Sequence, residues 1–340
     1  MLYKIALIGF GAANMLFLAY IASSAPSLLE DTVIIDPTLS GGALQHSWPY
    51  VRSNTVWKQF VDALKRFSAT AQYAEQIASI HPADEPTSLH VLARHLREAI
   101  QPYLHKTTLI KDTVCQIEES DKIFKIQTKR HKIQAEKVIF SPGSNPKVLH
   151  YPIPTIPLSA ALDRRQVESY LLPGDRVILF GTAHSGCLVL KNLVDCGARV
   201  SVVYATDKPF LFARDGEYDG IKQDAALVAD AILANDSPYD RQVELIYYKN
   251  NEDVMAAVMR SSYACYTVGF SLAEGQCFGY ESGYNPQTAR LREGSEIYGF
   301  GIAFPSCTGR PGEKVFWDVS IPSFTEHILK TNILSTVSSE

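Results

Sequence analysis

Cysteine is sparse and unpaired in this chain. Its 340 residues include six, at positions 115, 187, 196, 265, 277 and 307, and no two form a Cys-x-x-Cys pair. That scatter excludes a disulfide framework and a zinc-ligand pattern, so no metal site is expected, and the natural setting is a reducing compartment, the cytoplasm. A local dithiol able to take up electrons is missing too. Charge of one sign is also lacking: the formal net charge is −4, and the basic cluster Lys129-Arg130-His131-Lys132 is short and lies between two strand-like runs, as in a solvated hairpin turn. Nucleic acid is therefore not an expected partner. No run of about 18 apolar residues occurs, which argues against a membrane span.

What the chain does have is a strand-glycine-helix unit, twice. Lys4-Ile5-Ala6-Leu7-Ile8 leads into Gly9-Phe10-Gly11-Ala12-Ala13-Asn14, and Val177-Ile178-Leu179-Phe180 leads into Gly181-Thr182-Ala183-His184-Ser185-Gly186. A buried parallel strand, a glycine turn and a helix N-terminus together offer free N–H groups to a pyrophosphate. In the first unit Gly9 makes the turn and Gly11 admits the phosphates; Asn14 stands where a third glycine is expected. Thr32-Val33-Ile34-Ile35-Asp36 reads as the next strand, ending in a carboxylate placed to accept from the two ribose hydroxyls. The segment Ala22-Ser23-Ser24-Ala25 resembles a signal cleavage site, but glycines at 9 and 11 would break a signal helix and the single Lys4 is a weak basic region. Two nucleotide sites in one chain imply electron transfer between two dinucleotides.

The segment after Asp36, Pro37-Thr38-Leu39-Ser40-Gly41-Gly42, followed by Trp48, carries a resemblance. Here the chain resembles the two-dinucleotide-binding-domain flavoprotein superfamily, which includes flavin-containing monooxygenases and thioredoxin-reductase-like enzymes. The resemblance implies an α/β fold of two Rossmann-like, three-layer dinucleotide-binding domains, with an NAD(P) domain (155–265) inserted in a discontinuous FAD domain (1–150 and 270–340). It implies FAD on Gly9, Gly11, Ala12, Ala13, Asn14, Asp36, Gly41, Gly42 and Trp48. Ser141 and Gly143, at the first domain crossing, and Gly301, in the last strand-glycine segment, complete that set. Many relatives have Gly-Asp at this last segment, where this chain has Gly301-Ile302.

The second nucleotide falls by the same resemblance to Gly181, Ala183, Ser185 and Gly186, with Tyr204 and Lys208 at the ribose end. Lys208 and Arg214 lean toward NADPH and Asp207 toward NADH, so NADPH is expected and NADH is possible. The implied function is an FAD-dependent NAD(P)H oxidoreductase acting on a small-molecule substrate, most simply monooxygenase-like. The monooxygenase fingerprint Phe-x-Gly-x-x-x-His is not cleanly present, which keeps open an acceptor reductase or a non-catalytic nucleotide-binding protein. No catalytic residue is singled out. His46, Trp48, Tyr50 and Arg52 are candidates for the flavin's reactive face, and Tyr280 to Pro286 for the substrate cavity. Between these landmarks the periodicity predicts helices over 53–80, 88–103 and 321–334, and strands over 107–118, 123–128 and 133–139.

Overall fold

The structure, a computed structural model, describes residues 1–336 except 211, 212, 215, 216, 219, 220, 222, 223, 273–277 and 309–315. The chain divides into two compact units, Met1–Asn145 with Ser271–Glu340, and Pro146–Phe270.

In the larger unit β1 (Leu2–Ile8) runs into α1 (Ala12–Ser24), and β2 (Thr32–Asp36) returns beside β1. Apart from Asn14, the first ten residues of α1 are apolar on every side, so the helix has no polar face to turn outward. All ten, Ala12 to Ile21, are buried. A stretch that could be mistaken for a signal helix is thus the central helix of this unit's core. Next come α2 (Trp57–Lys65), α3 (Ser68–Ile80) and α4 (Leu89–Leu104). The single helix predicted over 53–80 is really a strand, Arg52–Val56, and two helices, because Phe67 takes an extended conformation between them.

The single strand predicted over 107–118 also divides, into β3 (Thr108–Lys111) and β4 (Val114–Ser120). With β5 (Ile123–Thr128) and β6 (Lys132–Phe140), the sheet order is β3-β2-β1-β6-β5-β4. β3 and β4 lie at opposite ends of that order although only Asp112 and Thr113 join them, so the antiparallel β4-β5-β6 meander folds back over the parallel strands as a third layer. Asp112 secures the fold-back: its carboxylate accepts from the Thr128 hydroxyl (2.7 Å) and from the backbone N–H groups of Thr113 (2.8 Å) and Arg130 (2.9 Å). Led by the Thr128 hydrogen bond, these partners hold its pKa well below the usual carboxylate range. The basic turn is therefore tied to the sheet through Arg130 and His131, the latter's Nδ1 lying 3.1 Å from Asp112.

The smaller unit holds β7 (Arg176–Phe180), α5 (His184–Asp195), β8 (Arg199–Tyr204), α6 (Asp224–Leu233), β9 (Val243–Tyr247), α7 (Asn251–Arg260) and β10 (Tyr263–Tyr266). Its four-stranded sheet is parallel, in the order β9-β8-β7-β10. The chain then returns to the larger unit, where β11 (Ile297–Gly299) pairs in parallel with the end of β6, and α8 (Ile321–Thr331) packs in the same core as α1.

Candidate functional site

In open parallel sheets ligands bind beyond the carboxyl ends of the strands. In the larger unit those ends carry Gly9, Asp36, Ser141 and the Gly299-Phe300-Gly301 segment, all gathered around the start of α1. The backbone of Gly9 passes so close to β6 that a Cβ there would stand 2.2 Å from the Ser141 carbonyl oxygen, and its φ of +88° already suits only glycine. Gly42 is stacked on Gly11, where a Cβ would lie 2.9 Å from the Gly11 Cα; a Cβ on Gly301 would stand 3.4 Å from that of Ala13. Four segments far apart in sequence thus converge on one helix N-terminus. The first hydrogen bond within that helix runs from Met15 N–H to the Gly11 carbonyl (3.0 Å), so the amides of Ala12, Ala13 and Asn14 precede the helical ladder.

Asn14 has a role that the glycine pattern does not foresee. Its Nδ2 donates to the carbonyls of Ile8 (2.9 Å) and Gly9 (2.7 Å) and closes the turn from inside. Its Oδ1 is buried without a hydrogen-bond partner among the described residues, as is the Ser141 hydroxyl. Asp36 is more committed than its strand-end position suggests. Oδ1 accepts from Thr38 N–H, the Thr38 hydroxyl and Leu39 N–H, and Oδ2 accepts from Phe10 N–H at 2.9 Å. The carboxylate therefore locks its own loop onto the glycine turn, and Oδ2 retains an acceptor position for a single ribose hydroxyl. A cavity of about 80 Å³ borders Asp36, lined also by Gly9, Asp112, Val114, Pro142 and Phe278.

The remaining candidates of this unit are less closely joined to the turn. Gly41 also has positive φ, and Gly143 faces open space. Trp48 is buried, His46 Nε2 meets the Ser40 hydroxyl, and Tyr50 is 71% exposed. Tyr280 is buried beneath the Arg292 guanidinium, and Tyr284 donates to the carbonyl of Phe304 or Pro305. Both tyrosines are anchored in packing. A groove of about 540 Å³ runs alongside, lined by Tyr284, Asn285, Pro286 and Arg290. Two residues here carry no motif in the sequence: Gly299, where a Cβ would stand 2.5 Å from the Phe304 ring, and His327 on α8, buried edge-on to Phe300. The only signal for His327 was its place on the apolar stripe of that helix.

In the smaller unit a Cβ on Gly181 would lie 2.6 Å from the Thr267 hydroxyl, and one on Gly186 2.4 Å from the Gly181 carbonyl. These two glycines serve close packing of helix against turn. Thr267, also missed in sequence, pins that turn by donating to the carbonyl of Phe180 (2.9 Å) or Gly181 (3.1 Å). Ala183 occupies the N-cap of α5 and is exposed, and Ser185 stands partly exposed in the first turn. Tyr204, at the end of β8, packs on Tyr247 at the end of β9 (ring centroids 5.4 Å apart), and Lys208 is exposed. Lys249 joins them from the next loop, its ammonium 5.8 Å and 6.0 Å from the rings of Tyr247 and Tyr248. A hydrogen bond with Tyr247 is the main cause of its raised pKa. The Arg214 side chain lies outside the described residues. The five described cysteines are free, and burial pushes the thiols of Cys187 and Cys265 up to about 12.

A family of pyridine nucleotide-disulphide oxidoreductases matches residues 52–219. No curated protein matches the chain by sequence. Among solved structures it is similar to a bacillithiol disulfide reductase from Staphylococcus aureus (TM-score 0.61, 14% identity, 99% of each chain covered). It is similar also to an ornithine hydroxylase from Pseudomonas aeruginosa (0.62, 10%, 99% of this chain and 100% of that one). A third is the ornithine N-hydroxylase of Kutzneria sp. 744, in a structure described as containing FADred, NADP+ and L-orn (0.58, 12%, 99% and 100%). Reductases and hydroxylases therefore share this two-unit architecture.

Proposed function

We propose that the chain is a member of the two-dinucleotide-binding-domain flavoprotein superfamily and an FAD-dependent NAD(P)H oxidoreductase of its monooxygenase-like branch. The observation that carries the FAD assignment is the convergence of Gly9 on Ser141, Gly42 on Gly11 and Gly301 on Ala13 around the start of α1. The larger unit, 1–145 with 271–340, is then the FAD domain, and the smaller one the NAD(P) domain. The amides of Ala12, Ala13 and Asn14 would meet the pyrophosphate, Asp36 Oδ2 a ribose hydroxyl, and the unpartnered Ser141 hydroxyl a polar atom of the cofactor. FAD, when bound, supplies the hydride-accepting and oxygen-reacting chemistry. The protein supplies position: Asn14 and Asp36 fix the glycine loop before any ligand arrives.

In the smaller unit Ser185 and the first amides of α5 would hold the second pyrophosphate, beyond the methyl of Ala183. Lys208 and Lys249 would meet the 2′-phosphate of NADPH, and Tyr204 and Tyr247 would flank the adenosine. Two cations against Asp207 favour NADPH over NADH. The monooxygenase-like reading draws on the thiols: Cys187 and Cys265 are buried and protonated, and the described cysteines form no pair to receive electrons.

The test is direct. Purified protein reconstituted with FAD should show the visible absorbance of oxidised flavin, and NADPH should bleach it under argon. Admitting oxygen should restore the colour, with consumption of NADPH that rises when a true substrate is present. A flavin that is bleached but reoxidised only by an added quinone would replace the monooxygenase reading with an acceptor reductase. Protein that cannot take up flavin would defeat both.

A further inference from the structure

We propose that the smaller unit carries a second anion site, at the amino ends of its strands and opposite the Gly181 end, selective for the phosphate group of a small molecule. Arg176 and Arg199 are the first residues of β7 and β8, and they are direct partners in the parallel register. Side chains at paired positions of neighbouring strands point to one face, and like charges placed so repel. Neither guanidinium has a carboxylate within ion-pair distance among the described residues. Glu244, which lines the same cavity, is already engaged: it accepts from the Ser201 hydroxyl at 3.0 Å and is paired with Arg260, which also donates to Ser201 at 3.2 Å. Arg241, in the helical turn Tyr239–Gln242 that leads into β9, adds a third guanidinium, 3.6 Å from the carboxylate of its neighbour Asp240.

Arg176, Arg199 and Arg241 are exposed, and with Ser201, Gln242 and Glu244 they line a cavity of about 140 Å³. Its floor is fixed, because Gln242 Nε2 is held by the carbonyls of Val194 and Ala198, and Ser201 is buried. The register makes Arg176 and Arg199 neighbours on one face, and an anion held between them would offset their mutual repulsion. Guanidinium forks match the oxygens of phosphate in pairs, and the cavity has room for a phosphate group. The site is distinct from the proposed nucleotide site: five residues of extended strand, roughly 16 Å, separate Arg176 from Gly181.

Thermal unfolding and calorimetric titration of the full chain with inorganic phosphate, against sodium chloride of equal ionic strength, test the proposal. A second titration with ribose 5-phosphate distinguishes free phosphate from a phosphomonoester as the ligand. Wild-type protein should be stabilised saturably by one or both and not by chloride. Losing two charge-assisted contacts in Arg176→Gln/Arg199→Gln should weaken that binding by about tenfold or more. Without phosphate the double variant should be as stable as wild type or more so, because the repulsion is gone; with phosphate the order should reverse. Single Arg176→Gln, a smaller change, should fall between. Equal phosphate responses in wild type and variants, or the same response to chloride, would overturn the proposal. Unchanged affinity for NADPH in the double variant would show that the two sites are separate.

Discussion

Asn14 and Gly9 differ from most residues of the site in that each performs a task no substitute can perform. Asn14 fills the place of a glycine and ties two carbonyls of the turn. Asn14→Leu keeps the volume but leaves buried acceptors unmet, and should cost about 2–4 kcal/mol in denaturant unfolding. Asn14→Gly, which restores the common pattern, should still destabilise, since the carbonyls of Ile8 and Gly9 lose their donor. Gly9→Ala pushes a methyl into the Ser141 carbonyl and should abolish FAD uptake, measured by the flavin-to-protein absorbance ratio. Lys249 belongs to the same scale. Lys249→Ala should raise the KM for NADPH several-fold and leave that for NADH nearly unchanged, if the 2′-phosphate is its partner. His327 makes a prediction about pH. Burial pushes its pKa down to about 4, against a weaker pull from the Pro286 carbonyl. A histidine lowered in this way supports the fold above its unfolded value near 6.5 and loses that support as pH falls toward about 4, on the order of 2–3 kcal/mol in all. His327→Phe should remove this part of the acid sensitivity.

At the scale of elements, the glycine turns were legible because their requirements are local: an apolar strand, a tight turn and a helix start within about a dozen residues. The break at Asp112 and Thr113 was not legible. Thr107 to Glu118 has no proline or glycine to mark a break, and the division comes from long-range pairing, β3 with β2 and β4 with β5. The split of 53–80 was hidden for a similar reason, as its apolar spacing resumes after Phe67. Nor could Lys249 be assigned beside Tyr204 without knowing that β9 lies next to β8. Asp112 offers a test of the fold-back it secures. Asp112→Ala removes the acceptor shared by Thr128, Thr113 and Arg130, so the amide of Arg130 should lose hydrogen-exchange protection while those of β1 keep theirs. Acid should have the same effect on the wild type below the usual carboxylate range, because the depressed pKa of Asp112 supports the turn only while the group is ionised.

For the molecule as a whole, the order of landmarks along the chain carried more information than any one of them. Single departures such as Asn14 for Gly, Ala183 for Gly and Ile302 after Gly301 each weakened a motif, yet the backbone still brings Gly9, Ser141, Gly42 and Gly301 to one helix end. What the order left open is the acceptor of the electrons, since the same architecture serves disulfide reductases and hydroxylases. The most direct measurement of the central claim is anaerobic titration of the FAD-loaded protein with NADPH, followed in the visible spectrum. The account predicts stoichiometric bleaching of the flavin, and weaker binding of NADPH in Lys208→Ala/Lys249→Ala. A chain that binds no flavin, or a bound flavin that NADPH leaves oxidised, would contradict it.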